Sequence, residues 1–297
     1  MLNTIIYNFC CFLGIHLPLP FLYFIARLTA FIRYLFLRES RKNVIENLRI
    51  VLEYKKTKTD VSYTEKELLK LSRKTFYSFA RCLTDFSYVP KWTLDRVRKK
   101  VKIENIEFLD EGLSGGKGVI ALTAHVGNWE LAGIVSSMLG YRVTAVAIPY
   151  LNPAVTNLYI KRRNTKGLEV ILTGSNPKNI LKALKENRIL AVLGDRVFTE
   201  KGTKIPFMGV ETAIPRGPAT LAVRTGAMFV AGFFIMEGEN YRFFFKKIPS
   251  PPSDFAEDEK INFLLLKGAE IIEKVILDYP DQWLTFTPLF NPPTETG

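Results

Sequence analysis

The chain has 297 residues, of which 47% are hydrophobic and 24% are charged, and its mean hydropathy is +0.07. This composition excludes a disordered or fibrous protein and a membrane protein with many spans, and it allows a large buried core. Lys and Arg outnumber Asp and Glu by 41 to 29, and the net charge of +12 favours a nucleic acid, an anionic bilayer or an acidic or phosphorylated substrate as neighbour.

The N-terminal segment is strongly apolar. No formally charged residue occurs from position 2 to position 26, a length that could cross a bilayer. Pro18 and Pro20 interrupt the segment, because proline removes a helix hydrogen bond and clashes with the preceding turn. The pattern therefore predicts two short apolar helices, at about 2–15 and 21–37, joined by a bent segment.

A basic stretch follows and consists of Arg27, Arg33, Arg38, Arg41 and Lys42. Positive charges beside an apolar segment suit the anionic headgroups on the cytoplasmic face of a membrane. We predict that residues 1–42 are a hydrophobic membrane anchor and that residues 43–297 form an α/β domain. Whether the anchor spans the bilayer or dips into it stays open, and a buried helical hairpin of a soluble fold is the alternative. A cleaved signal peptide is disfavoured, because a positively charged start and a small-x-small cleavage site are missing.

Cysteines and histidines are few. Cys10, Cys11 and Cys82 cannot make a disulfide framework, and they indicate reduced thiols on the cytosolic side. The histidines are His16, which belongs to the apolar segment, and His125. Chemistry that needs an imidazole is therefore expected at His125.

The rest of the chain predicts alternating helices and strands. Thr64 and Glu67 match a capping box that opens a helix ending near residue 86, and the basic segment 95–102 is predicted as a solvated helix or turn. Two strand–helix–strand units follow, and their crossover connections imply parallel pairing. Their strands are expected at about 118–124, 141–148, 170–172 and 189–194, and their helices at about 128–139 and 177–186.

A hairpin at about 227–236 and 241–248 and a long amphipathic helix at about 257–279 complete the predicted order. The fold class is therefore α/β, with a mainly parallel central sheet flanked by helices and an N-terminal apolar helical anchor.

The candidates for chemistry lie around the end of the first strand of the sheet. His125 follows that strand and Glu130 lies in the first turn of the next helix, where sites form in open α/β sheets. The carboxylate could accept the Nδ1 proton, so that Nε2 takes a proton from a hydroxyl, which contributes about 10²–10⁴-fold in rate. Gly127 permits a tight turn, and Asn128 could cap the helix, whose N–H groups could bind an oxyanion. The alternative is a polar loop without chemistry.

Other catalytic motifs are missing from the sequence. It has no Gly-x-Ser-x-Gly elbow and no Gly-x-Gly-x-x-Gly after a strand, and residues 112–118 lack the glycine spacing and the Ser or Thr of a phosphate loop. Its scattered histidines and cysteines make no zinc site. We therefore expect acid–base chemistry with no metal and no cofactor.

The segment His125-Val-Gly-Asn-Trp-Glu130 resembles the His-x4-Asp/Glu signature of glycerolipid acyltransferases. Its form is similar to that of the bacterial lipid A biosynthesis (late) acyltransferases, the lauroyl and myristoyl transferases. The resemblance continues over nearly the whole chain, in blocks at 150–153, 163–171, 193–196, 205–209, 215–227 and 279–283.

This resemblance implies transfer of a fatty acyl group from acyl carrier protein or coenzyme A to a lipid-linked hydroxyl. His125 would be the general base, oriented by Glu130. Arg163 would bind an acceptor phosphate or the thioester oxygen, unless it is an ordinary surface charge. Asp195 would position Arg163 or Arg216, or simply cap a loop. Arg216 precedes a Gly217-Pro helix start, where an anion site is natural.

Two departures from the family pattern concern the acceptor. The family often has Asp-Gln where this chain has Asp195-Arg196, and its C-terminal block is often more basic than the segment after Trp283. Another glycolipid or a lysophospholipid therefore stays open as the acceptor. The alternatives are a lysophospholipid acyltransferase with the same dyad and a non-catalytic membrane lipid-binding protein.

The resemblance also implies the enzyme's surroundings. The expected partners are a membrane lipid acceptor, acyl carrier protein or acyl-CoA, and an anionic bilayer surface, at the inner (plasma) membrane with the catalytic domain on its cytoplasmic face. A nucleic acid is not expected, because the basic residues are dispersed and no reading motif occurs. The apolar segments 229–236 and 241–245 could line an acyl tunnel, with plain core as the alternative.

Overall fold

A computed structural model describes residues 12–59, 61–197 and 202–290. Residues 12–16 are helical, and three long helices follow: α1 (Leu19–Phe36), α2 (Arg38–Thr59) and α3 (Glu65–Ser87). The second predicted apolar helix is confirmed as α1, which begins just after Pro18, as expected from the fixed φ of proline. Most of the first predicted helix lies outside the described residues, as do Cys10 and Cys11.

The predicted capping box opens α3. The Thr64 hydroxyl accepts a hydrogen bond from the Glu67 backbone N–H at 3.2 Å, and the Glu67 carboxylate accepts one from the Thr64 N–H at 2.7 Å. Helix α2 was not predicted, because its first and last turns are mostly charged and only a narrow apolar stripe is buried. It runs without a break across residues 42 and 43, the predicted limit of the anchor.

A seven-stranded sheet forms the centre of the described molecule. Its strands are β1 (Val101–Glu104), β2 (Val119–Thr123), β3 (Val143–Ala147), β4 (Glu169–Leu172), β5 (Ile189–Leu193), β8 (Met228–Glu237) and β9 (Asn240–Lys247). Their order is β1-β9-β8-β2-β5-β3-β4, and every neighbouring pair is parallel except β8 and β9, which form the predicted hairpin. The prediction of a mainly parallel sheet is confirmed.

Helices cover both faces of this sheet. They are α4 (Leu94–Lys100), α5 (Glu107–Ser114), α6 (Trp129–Met138), α7 (Pro153–Asn164), α8 (Lys178–Lys185), α9 (Gly217–Thr225) and α10 (Glu257–Asp278). A separate antiparallel hairpin consists of β6 (Gly202–Phe207) and β7 (Val210–Pro215). Two large apolar clusters fill the spaces between sheet and helices.

Helix α1 has one packed face and one exposed face. Leu22, Ala26, Ala30 and Tyr34 are buried, and the helix packs along α3. Within the described residues α1 is the helix long and apolar enough to cross a membrane, although 22% of it is buried. The exposed apolar side chains include a series spaced three and four residues apart: Phe21, Phe24, Leu28, Phe31 and Leu35.

Candidate active site

The register between two neighbouring strands creates the centre of the site. Strand β2 is paired in parallel with β5, so that Thr123 lies opposite Leu193. Each strand ends there, and a polar residue follows two positions later: His125 after β2 and Asp195 after β5. Because the carboxyl ends of parallel strands meet at one edge of the sheet, the two side chains come together.

His125 and Asp195 are hydrogen-bonded. The distance from His125 Nδ1 to Asp195 Oδ1 is 2.8 Å, and Oδ2 accepts from the His125 backbone N–H at 3.2 Å and from Trp283 Nε1 at 3.1 Å. Burial alone would raise the pKa of Asp195, but attraction to His125 and these hydrogen bonds outweigh it and lower the pKa. The carboxylate is therefore ionised, and His125 carries its proton on Nδ1.

The imidazole ring of His125 is almost fully buried. His125 is 7% exposed, and the ring of Trp129 lies against it with 4.9 Å between ring centroids. Burial lowers the pKa of His125, and the opposing attraction of Asp195 does not fully compensate. The ring is thus neutral at neutral pH, with the lone pair on Nε2, which is the state that a general base needs.

The prediction that Glu130 orients His125 through Nδ1 is wrong. Both oxygens of the Glu130 carboxylate instead accept hydrogen bonds from Arg163, one from Nε at 2.9 Å and one from Nη2 at 2.7 Å. The spacing of five residues would permit a contact between His125 and Glu130. The register of β2 and β5 instead places Asp195 beside Nδ1 of His125. Glu130 still acts on His125 through its charge, which raises the pKa of the ring.

Arg163 is not the surface charge that one alternative expected. It lies on α7, is 9% exposed, and its guanidinium carbon is 5.6 Å from the ring centroid of Tyr159. Burial alone would lower its pKa, but the Glu130 carboxylate outweighs this and raises it. Its binding of an acceptor phosphate or a thioester oxygen stays a prediction.

Asp195 does not position either arginine, contrary to prediction, because Arg163 is bound to Glu130 and Arg216 to Asp258 at 2.7 Å. Arg216 is the half-buried residue before α9, and its ion-pair partner on α10 is exposed. A side chain at Gly217 would meet no atom within 4 Å, so that crowding does not require glycine there. Binding of an anion at this helix start stays a prediction.

Asn128 caps α6, as predicted. Its Oδ1 accepts the Leu131 N–H at 3.1 Å, and the residue is fully buried. The Asn128 N–H donates to the Phe234 carbonyl at 2.7 Å, so this N–H does not take part in an oxyanion site. Gly127 has φ of +67°, and a Cβ there would lie 2.2 Å from the same carbonyl oxygen, which explains why the turn needs glycine.

A C-terminal strap, residues 279–285, supports the loop from the other side. The Leu284 N–H donates to the His125 carbonyl at 2.7 Å, and the Gly127 N–H donates to the Gln282 carbonyl at 2.9 Å. Trp283 is 2% exposed and bonds to Asp195. Sequence reasoning gave this strap no role, although a buried tryptophan N–H needs an acceptor and so hints at a nearby carboxylate.

Apolar side chains surround the back of the site. A cavity of about 10 Å³ touches Gly194, next to Asp195, and is lined by Leu122, Phe229, Ala219 and Leu265 among others. Of the segments predicted to line an acyl tunnel, Phe229 reaches this cavity, and the rest of both segments is mostly sheet core. In the described parts of the chain, no three His, Cys, Asp or Glu side chains converge as metal ligands.

The comparisons with known proteins agree with the motifs. A family model described as bacterial lipid A biosynthesis acyltransferase matches residues 1–291. The phosphatidylinositol mannoside acyltransferases of Mycolicibacterium smegmatis and Mycobacterium tuberculosis H37Rv are 29% and 32% identical over 175 and 154 residues. These matches cover 58% and 50% of this chain and 58% and 47% of the relatives, so the chain spans about half of their length. The lipid A biosynthesis palmitoleoyltransferase of Escherichia coli K12 is 23% identical over 277 residues, which is 92% of this chain and 85% of that protein.

Proposed function

Because this chain belongs to the bacterial lipid A biosynthesis acyltransferase family, we propose that it transfers a fatty acyl group from a thioester to a hydroxyl of a membrane glycolipid. The observation that carries this proposal is the 2.8 Å hydrogen bond between His125 Nδ1 and the buried carboxylate of Asp195. That bond fixes the tautomer with a basic Nε2 and stabilises the imidazolium, which serves proton transfer and would be superfluous in a lipid-binding protein.

The reaction begins with the acceptor hydroxyl. Nε2 of His125 takes the hydroxyl proton while the hydroxyl oxygen forms a bond with the thioester carbonyl carbon. The positive charge that develops on the ring is stabilised by Asp195, which stays ionised throughout. The tetrahedral oxyanion then collapses, the carbon–sulfur bond breaks, and the leaving thiolate takes the proton back from Nε2. The products are an ester and a thiol, with no further reactant.

The Glu130–Arg163 pair is proposed to hold the substrates next to this base. Arg163 donates Nε and Nη2 to Glu130, and Nη1 is the guanidinium nitrogen that Glu130 does not use. A bidentate carboxylate fixes the plane of the guanidinium, so that Nη1 has a defined direction toward a phosphate or thioester oxygen. The acyl donor is proposed to be acyl carrier protein or acyl-CoA.

The acceptor is proposed to be a phosphorylated glycolipid. The relatives' names point to lipid A and to phosphatidylinositol mannoside, and both are glycolipids that carry phosphate. A buried arginine and a net charge of +12 suit such an anionic acceptor. A lysophospholipid is the second candidate, because the same base could serve its hydroxyl.

The exposed apolar stripe of α1 is proposed to attach the enzyme to the inner membrane. Because one face of α1 packs along α3, the helix can lie in the plane of the membrane interface with its exposed apolar stripe inserted into the bilayer. To span the bilayer, α1 would have to separate from α3. Arg27 and Arg33 flank the stripe, and their guanidinium groups lie over Tyr77 and Phe79. We therefore propose an anchor that dips into the cytoplasmic leaflet.

Acyl transfer by the purified protein in detergent tests this function. Wild type and His125→Ala would receive a radiolabelled acyl donor, as acyl carrier protein or coenzyme A thioester, with each of three acceptors: a lipid A precursor, phosphatidylinositol mannoside and a lysophospholipid. We expect transfer to a glycolipid, with a loss of at least about 10²-fold in His125→Ala and unchanged vesicle binding. Near-wild-type transfer by His125→Ala would refute the base. Vesicle binding without turnover in both proteins would favour a lipid-binding protein.

A further inference from the structure

Asp85 is a buried carboxylate that the proposed chemistry does not use. It lies near the end of α3 and is 1% exposed. Its oxygens accept three hydrogen bonds, from the Tyr23 hydroxyl at 2.7 Å, the Tyr241 hydroxyl at 2.8 Å and Asn128 Nδ2 at 3.1 Å. Arg81 Nε is 3.9 Å from the same carboxylate. A buried carboxyl group with this many partners is fixed in position, because each lost bond leaves a polar group without a partner and away from water.

One of these bonds reaches the active-site loop. Asn128 lies between His125 and Glu130, and its amide has two opposite duties: Nδ2 donates to Asp85, while Oδ1 accepts from Leu131 N–H in the first turn of α6. The Cys82 thiol also donates to Oδ1 at 3.4 Å. The bond to Asp85 and the bond from the Leu131 N–H together fix which way the Asn128 amide faces.

A second bond reaches the helix with the exposed apolar stripe. Tyr23 is next to Phe24, which is 63% exposed, and its hydroxyl also lies 3.1 Å from that of Tyr241. The preceding helical residues approach the same end of α3 closely, since a Cβ at Gly14 would lie 2.5 Å from Ser87 Oγ. The N-terminal helices are thus packed against the part of α3 that carries Asp85.

We propose that Asp85 is a positioning residue that couples the packing of α1 on α3 to the geometry of the loop between His125 and Glu130. Asp85 reaches the loop through Asn128 and reaches α1 through Tyr23. Its effect on turnover rests on the proposed acyl transfer, whereas its effect on the imidazole does not.

Kinetics of two tyrosine variants test the coupling. Tyr23→Phe removes the bond to Asp85. Tyr34→Phe is the matched control, because it removes the 3.3 Å bond between Tyr34 and Ser72, which also joins α1 to α3 but does not lead to the loop. We expect both to lower Tm slightly. Of these two, only Tyr23→Phe should lower kcat, about threefold and with unchanged KM for the acyl donor. Asp85→Asn, which changes the carboxylate itself, should lower kcat about tenfold. Equal kcat in Tyr23→Phe and Tyr34→Phe would overturn the proposal.

A nuclear magnetic resonance measurement gives a readout without turnover. The chain has two histidines, so that the ring signals of His125 can be assigned in a ¹⁵N-histidine sample by comparison with His16→Gln. We expect the His125 signals to shift in Tyr23→Phe and Asp85→Asn and to stay in place in Tyr34→Phe. Unshifted signals in both of the first two variants would overturn the coupling. A shift in a protein that acylates no acceptor would retain the coupling and reject the proposed function.

Discussion

Replacing Asp195 by Asn should reverse the tautomer of His125. The two carboxylate oxygens have different partners, since Oδ2 accepts two N–H groups, from the His125 backbone and from Trp283. An asparagine at this position must place its oxygen where Oδ2 lies, because an amide NH₂ group there would face two N–H donors. Its NH₂ group would then donate to Nδ1, and the ring proton would move to Nε2. A ring with its proton on Nε2 cannot take one from the acceptor.

We expect Asp195→Asn to lower kcat by about 10³–10⁴-fold. Replacing the carboxylate that orients the histidine of a Ser-His-Asp triad lowers kcat by a similar factor. This corresponds to about 4–5.5 kcal/mol at 1.36 kcal/mol per tenfold. Side-chain volume hardly changes, so that the melting temperature should move far less than the rate suggests. Asp95→Asn makes the same change at the exposed ion pair of Asp95 with Lys99 and serves as the control with unchanged activity.

Steady-state acyl transfer and the ¹⁵N chemical shifts of the His125 ring measure these two effects. Wild type should show the proton on Nδ1, and Asp195→Asn should show it on Nε2. Activity of Asp195→Asn within tenfold of wild type, or an unchanged tautomer, would refute the reasoning from the two hydrogen-bonded oxygens.

Three further outcomes are expected. Glu130→Ala should lower the free energy of unfolding by about 3–5 kcal/mol in urea titrations, because Arg163 stays buried without its carboxylate; a loss below about 1 kcal/mol would contradict the buried pair. Since burial sets the pKa of His125 below 6.5 and the base must be neutral, kcat/KM should hold at neutral pH and fall only below pH 6.5; an acid limb above that value would contradict the direction of the shift. Phe24→Asp, at an exposed position, should weaken vesicle flotation about tenfold without changing Tm, as expected for lost apolar burial; unchanged flotation would remove the stripe from the membrane contact.

The local parts of the fold could be predicted from the sequence. The apolar run of β2, the capping box at Thr64 and the turn at Gly127 each follow from neighbouring residues. The apolar run and the turn together located His125 at the end of a strand. Helix α2 escaped notice because charged residues flank its narrow buried stripe. Strand β1 was not predicted, because it begins inside the basic segment 95–102. Its four residues are too few to show a clear alternation of apolar and polar side chains.

The partner of His125 could not be predicted in the same way. Strand β5 lies between β2 and β3, although β3 follows β2 along the chain. Local spacing therefore offered Glu130, which is close in sequence, whereas the order of strands in the sheet brought Asp195. Asp85 and Trp283 were missed for the same reason, because their bonds to the loop join residues far apart in the chain.

The insertion of β5 between β2 and β3 also bears on the timing of biosynthesis. His125 meets a carboxylate 70 positions later and depends on a tryptophan 88 positions beyond that carboxylate. Loop closure over such separations costs conformational entropy before the contacts can form. During synthesis the imidazole of His125 thus lacks its orienting contacts until both Asp195 and Trp283 have left the ribosome.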